Sequence, residues 1–273
     1  KPLLLKSLLP ESINLATASI DYSPNYRQAI LSLMNDDAEI AYLISLDNEN
    51  TELFDITSSK ENVLAAWNSE KNEEMMKVIE TLPKELITIA TDTFQIIAVA
   101  PNEKRIMYRV KTDTNLPLVL NPPLIGANQT PEERNLKAGG IYIYDKKEDK
   151  NYKVPVEISI TEEANKIVQT ELVVTDSSAT DSAMAQLPQV WYPEVVYEIL
   201  EYIQWYPTSD YIVVKERNHI SVMQYDGDNK ETVYAGPFEN DFFMIAPDWN
   251  LLVVINLNPQ VNSVGDLYSV GIK

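Results

Sequence analysis

Ile203-Gln204-Trp205-Tyr206-Pro207-Thr208-Ser209-Asp210-Tyr211-Ile212-Val213-Val214 decides the fold. A short strand runs into a Pro-containing turn, and a second strand with no polar position follows it. A strand on a one-sided sheet alternates apolar and polar residues, whereas Tyr211 to Val214 is apolar throughout, so both faces of its sheet must be covered. A tight turn at Glu216-Arg217-Asn218 leads to a third strand, Ile220-Ser221-Val222-Met223-Gln224-Tyr225. Asp226-Gly227 then supplies a hairpin turn, and Glu231-Thr232-Val233-Tyr234 returns as a fourth strand.

The pattern recurs downstream. Phe242-Phe243-Met244-Ile245-Ala246-Pro247-Asp248-Trp249-Asn250 precedes the apolar run Leu251 to Ile255, and Gly265 to Val270 follows after a loop. Pro207 and Pro247 are 40 residues apart, the length of one four-stranded propeller blade. Two earlier copies carry the same order. One comprises Ile96 to Lys104, Arg105 to Val110 and, after a long excursion, Gly140 to Asp145. The other comprises Ile20 to Asn25, Gln28 to Leu33, Ala38 to Asp47 and Glu52 to Thr57.

The expected fold is all-β: a β-propeller-like array of four-stranded antiparallel blades with a small helical insertion, forming a single domain over residues 1–273. Four copies are fewer than most closed propellers contain. Either degenerate stretches hide further blades, or the chain holds only part of the array, or the sheets do not close. Trp205 and Trp249 are expected to sit between blades.

Three segments stand outside the repeat. Residues 70–92 carry Met75, Met76, Val78, Ile79, Leu82, Leu86 and Ile87 at helical spacing, with a break at Leu82-Pro83. This insertion is either the cap of an open array or a decoration on a ring. Residues 112–138 are rich in Pro and Asn and read as an ordered excursion loop. The second loop insertion spans 158–190; Ile167 to Val174 has strand character, and Ser177 to Ala185 is small, polar and expected to be mobile.

Composition narrows the function classes. The 41 acidic against 22 basic side chains give a formal charge of −19, which repels phosphate backbones and argues against a nucleic-acid partner. The same field keeps the chain soluble, and it attracts cations or a basic partner. Without cysteine there is no disulfide and no thiolate zinc site. No apolar run approaches the roughly 18 residues that cross a bilayer. The start, Lys1-Pro2-Leu3-Leu4-Leu5-Lys6, lacks an initiator Met and a full signal-peptide pattern, and reads as a cut or processed chain.

Trp205-Tyr206-Pro207-Thr208-Ser209 and Val222-Met223-Gln224-Tyr225-Asp226-Gly227 resemble the blade pattern of TolB-type propellers, in which a Trp-Ser-Pro-Asp-Gly turn is followed by a Tyr-x-x-Asp strand end. Leu82-Pro83-Lys84-Glu85-Leu86, Pro131-Glu132-Glu133-Arg134-Asn135, Ile143-Tyr144-Asp145 with Glu148-Asp149, and Tyr234-Ala235-Gly236-Pro237-Phe238 together resemble the propeller region of bacterial PEGA-domain surface proteins. The resemblance runs from about residue 20 to the end, with a gap near 158–188. It implies an exported, envelope-anchored protein whose N-terminal anchor and PEGA module are not in this chain. The chain departs from the blade pattern in its 7 glycines and in turns such as Ala246-Pro247-Asp248-Trp249.

No catalytic constellation emerges. His219, the single histidine, follows a turn and has neither a Gly-x-Ser-x-Gly nucleophile nor a cysteine to serve, so it reads as structural or exposed. Asp226-Gly227-Asp228-Asn229 and Asn35-Asp36-Asp37 lack the spaced ligands of a calcium loop and read as turns. No metal or cofactor is expected. The candidate ligand-binding residues are the aromatics Trp191, Tyr192, Tyr197, Tyr202 and Tyr206, placed at a rim to stack on a sugar or clasp a peptide; the alternative is that they pack blade against blade.

The expected function is a non-enzymatic extracellular or surface-displayed binding or scaffolding module with a protein or glycan partner. The alternatives are a carboxylate-dependent polysaccharide hydrolase and a structural spacer of an envelope-anchored protein.

Overall fold

A computed structural model describes residues 4, 6–9, 18–35, 38–156, 158, 188–238, 242–246, 248–257, 260 and 265–272. The strand expected over Ile167 to Val174, the mobile stretch Ser177 to Ala185 and the Asp36-Asp37 turn lie outside the described residues. The chain divides into two compact units, Lys1–Glu74 and Met75–Lys273.

The first unit holds an antiparallel sheet in the order β1-β2-β3-β4: β1 (Ser19–Tyr22), β2 (Gln28–Asn35), β3 (Ala38–Ser45) and β4 (Phe54–Asp55). Ala29, Leu31 and Leu33 alternate along β2 and meet Ile44 of β3 in a small apolar cluster. Ser23 closes the β1–β2 turn, its hydroxyl donating to the Gln28 carbonyl at 2.9 Å. The helical segment starts ten residues before the expected boundary. Helix α1 spans Lys60–Glu80, and α2 spans Lys84–Thr93. The break falls at Pro83 as the sequence implies, since proline has no N–H to continue the ladder. The early turns of α1 escape detection because only Met75 and Ile79 are buried on it, so it has almost no apolar stripe to read.

Among the described residues the second unit holds three larger antiparallel sheets and one two-stranded pair. The second sheet joins β5 (Phe94–Val99), β6 (Arg105–Val110), β9 (Ile141–Asp145) and β10 (Lys150–Lys153), all antiparallel. The excursion between β6 and β9 was expected to carry no strand. It contains a two-residue pair, β7 (Thr114–Asn115) with β8 (Asn135–Leu136), too short to leave a periodicity in the sequence. The third sheet runs β11 (Ile203–Trp205), β12 (Tyr211–Glu216), β13 (His219–Gln224), β14 (Glu231–Ala235). The fourth runs β15 (Phe243–Ile245), β16 (Leu251–Ile255), β17 (Asp266–Val270) and has three strands among the described residues. A helix, α3 (Pro193–Leu200), precedes the third sheet. It was not expected. Pro193 opens it at the position where a missing N–H is harmless, and Val195, Val196 and Ile199 supply its buried face.

Alternate residues of β12 serve two cores. Ile212 and Val214 join Ile106, Ile143 and the α3 valines in the cluster shared with the second sheet. Val213 joins Phe243, Leu251 and Val253 in the cluster shared with the fourth. All three of these β12 side chains are fully buried, each contributing about 1.5–3 kcal/mol of transfer free energy. Trp205 packs against the first of these clusters as expected. Trp249 does not lie between sheets: it is 52% exposed, in a turn where its φ of 71° turns the chain sharply.

A polar staple joins the second and third sheets. Arg105 on β6 donates from Nε to Asp145 Oδ2 at 2.7 Å, and from Nη1 to the Ser209 carbonyl at 2.8 Å and Asp210 Oδ1 at 3.1 Å. Its guanidinium carbon lies 3.5 Å from the centroid of the Tyr225 ring. The loop between β7 and β8 is tied down by the same kind of chemistry. Asp149 Oδ2 accepts from the Val119 and Leu120 N–H groups, both at 2.7 Å, and its Oδ1 accepts from the Tyr144 hydroxyl at 2.9 Å. Asn128 donates to Asp226 Oδ2 at 2.6 Å, which fastens the loop to the β13–β14 turn.

Replacing Arg105 by Met leaves the Asp145 carboxylate buried without its cation. The expected cost is about 3 kcal/mol, read as a lower urea midpoint at unchanged slope. A loss under about 1 kcal/mol would mean that apolar contact alone holds these two sheets together.

Candidate functional site

The fourth sheet covers only part of the third. On the face that β12 and β13 turn toward it, the cross-strand pairs are Lys215 with Ile220, Val213 with Val222, and Tyr211 with Gln224. Val213 and Ile220 are fully buried, but Tyr211, at the other end of the face, is 37% exposed. Around this uncovered end lies a groove of about 370 Å³, lined by Tyr206, Tyr211, Gln224 and Glu231 together with Val222, Val233, Asn229 and Ile272.

Local structure explains how each side chain arrives there. The Pro207-Thr208-Ser209 turn closes with the Ser209 N–H donating to the Tyr206 carbonyl, and the Tyr206 N–H donating to that of Tyr211. Both tyrosines are thereby held at the mouth of one hairpin. The Tyr206 hydroxyl donates to the Trp249 carbonyl at 3.1 Å, and its ring meets the Trp249 indole edge-on at 6.4 Å. The β13–β14 turn uses Gly227 at φ 89° and Asn229 at φ 51°, left-handed conformations that glycine and asparagine tolerate best. The Asn229 amide donates to Gln224 Oε1 at 3.0 Å. Glu231 lies directly across from Val222 on the same face. Among the described residues, neither its carboxylate nor the Tyr211 hydroxyl makes a hydrogen bond or an ion pair.

The aromatics expected to form the site are dispersed. Trp191 and Tyr192 are 6% and 3% exposed and belong to the core shared by the second and third sheets. Tyr197 is 53% exposed on α3, edge-on to Trp191 at 6.3 Å. Tyr202 lies under the Lys215 ammonium, 4.4 Å from its ring centroid. Tyr206 alone of the five lines the groove. Sequence reasoning missed Tyr211, Gln224 and Glu231. The available signal was Tyr211 itself, the polar-tipped residue that heads the aliphatic run Ile212-Val213-Val214.

His219 and Glu216 form a pair away from the groove. His219 Nε2 lies 2.7 Å from Glu216 Oε2, and Lys230 Nζ lies 2.7 Å from the other carboxylate oxygen. Burial alone would raise the Glu216 pKa, but the Lys230 hydrogen bond and charge and the His219 contact carry it below the ordinary value of 4.5. A carboxyl lowered in the fold adds stability above its unfolded pKa and loses it as pH falls through the folded value. Asp226 and Gly227 form the hairpin turn that the sequence implies. No group of three or more His, Asp or Glu side chains fit to hold a metal occurs among the described residues, and no helix among them is long and apolar enough to cross a membrane.

Two measurements test this description. Tyr206→Phe removes a hydrogen bond and is expected to cost about 1 kcal/mol of stability, whereas Tyr211→Ala, at the open end, is expected to cost less than about 1 kcal/mol; equal, large losses would make Tyr211 part of the core. In acid titrations followed by circular dichroism, Glu216→Gln is expected to flatten the fall in stability below pH 4.5; an unchanged curve would remove the pair from the acid response. No protein-family model matches the chain, and no curated protein is similar to it in sequence.

Proposed function

We propose that this chain is a non-enzymatic binding or scaffolding module, displayed outside the cell or on its surface, for a protein or glycan partner. Its meander sheets are read as blades of a propeller-like array, with the groove at Tyr206 and Tyr211 as its recognition site. The observation that carries this reading is the groove itself. Its volume of about 370 Å³ falls in the range of small-ligand and side-chain pockets, and it combines aromatic faces with a few polar groups. Support for the blade reading comes from the sequential strand order of every sheet and from the apolar clusters that join the second sheet to the third and the third to the fourth. The surface setting rests on the resemblance to PEGA-domain proteins.

The hydrolase alternative gains little from this groove. Glycoside cleavage uses two carboxyl groups roughly 5–10 Å apart, and Glu231 is the one carboxylate among the lining residues. The test is binding of the whole chain to displayed glycans and peptides, alongside Tyr211→Ala. A ligand retained by the wild-type protein and lost by the variant is the expected result. Release of reducing sugar ends from a polysaccharide, or capture that is indifferent to Tyr211, would overturn it.

A further inference from the structure

The chemistry of the groove selects among the partners that the binding-module reading leaves open, and the inference rests on that reading. We propose that the groove receives the ammonium or guanidinium group of a Lys or Arg side chain, presented by a peptide segment of a partner protein. Four observations converge on a cation.

The first is charge. Glu231 is the only lining residue with a carboxylate side chain, no Lys, Arg or His lines the groove, and no ion pair among the described residues involves it. The net charge of −19 draws cations toward the whole molecule and adds to this local preference. The second is the ring surface. Tyrosine faces carry the negative end of a quadrupole and attract ammonium and guanidinium groups. Among the described residues the protein already uses that contact, with Arg105 over Tyr225 at 3.5 Å, Lys215 over Tyr202 at 4.4 Å and Lys111 over Tyr192 at 5.7 Å. Tyr211 is a tyrosine without such a partner among the described residues.

The third is spacing. Tyr211 on β12 and Glu231 on β14 flank β13 on one face, across from Gln224 and Val222 respectively, two ladder spacings apart and offset by two residues along the strand, or about 12 Å. Both line the same groove as Gln224 and Val222. A cation between them meets a ring on one side and a carboxylate on the other, while its aliphatic stem lies along Val222 and Val233. The fourth is the cost of the alternative. A neutral sugar stacked on Tyr211 would strip water from the Glu231 carboxylate and offer only hydroxyl donors in return, whereas a cation supplies a full counter-charge.

The test titrates the whole chain calorimetrically at 150 mM salt with three probes: an end-capped tetralysine peptide, its fully ε-acetylated form, and neutral chitotetraose. The variants are Glu231→Gln, Tyr211→Ala, and Glu73→Gln on the exposed side of α1 as a control for diffuse attraction. The expected result is binding of tetralysine, weakened roughly three- to tenfold by Glu231→Gln and by Tyr211→Ala and unchanged by Glu73→Gln, with no binding of the acetylated peptide. Equal weakening by Glu231→Gln and Glu73→Gln would overturn the proposal, since the attraction would then belong to the whole surface. Binding of the acetylated peptide or of chitotetraose that Tyr211→Ala abolishes would overturn the cation while leaving the groove as a recognition site. Indifference of every probe to Tyr211→Ala would overturn both. Retained far-ultraviolet circular dichroism and thermal midpoint in each variant separate these outcomes from unfolding.

Discussion

The second unit depends on one constraint: the middle of β12 has no face that water can touch. Ile212, Val213 and Val214 are consecutive and fully buried, and successive residues of a strand point to opposite sides. The sheet therefore needs a cover on each side, and the second and fourth sheets provide them. A chain built this way propagates by stacking. Strands within each sheet follow chain order, and most neighbours are joined by short turns, with the excursion between β6 and β9 as the long exception.

Stacking by apolar contact alone sets distance but not rotation, since the hydrophobic effect has no direction. The Arg105 staple adds direction. Its guanidinium is planar and its donors are fixed, so simultaneous contact with Asp145, the Ser209 carbonyl, Asp210 and the Tyr225 ring admits one arrangement of the two sheets. Asp149 does for the excursion loop what Arg105 does for the sheets, holding two backbone N–H groups that would otherwise face solvent. Both devices place a charged group where its partners leave it no freedom.

The groove exists because the same constraint is relaxed at one end. The fourth sheet covers Val213 and Ile220 and leaves Tyr211 open. Incomplete cover is tolerated there because polar-tipped side chains, Tyr206, Tyr211, Gln224, Asn229 and Glu231, share the lining with Val222, Val233 and Ile272. Function and fold thus use one surface, with β12 changing from core to site within a single strand.

The sequence by itself determined the strands and their grouping. The apolar runs at Tyr211 to Val214 and Leu251 to Ile255, the Asp226-Gly227 turn and the Pro83 break are local statements, each carried by neighbouring residues, and each reappears in the structure. The elements missed, α3, the early turns of α1, β10 and the short β7–β8 pair, were those whose signal was short or whose apolar stripe was nearly absent. Only the tertiary structure decided which aromatics are exposed. Trp191, Tyr192, Tyr206 and Tyr211 look alike as letters, and each is equally able to fill a core or meet a ligand. What separates them is whether another sheet or helix lies above, a matter of residues far away in sequence. For the same reason Glu231 was one carboxylate among 41 acidic side chains until the ladder set it across from Val222, on the same face as Tyr211.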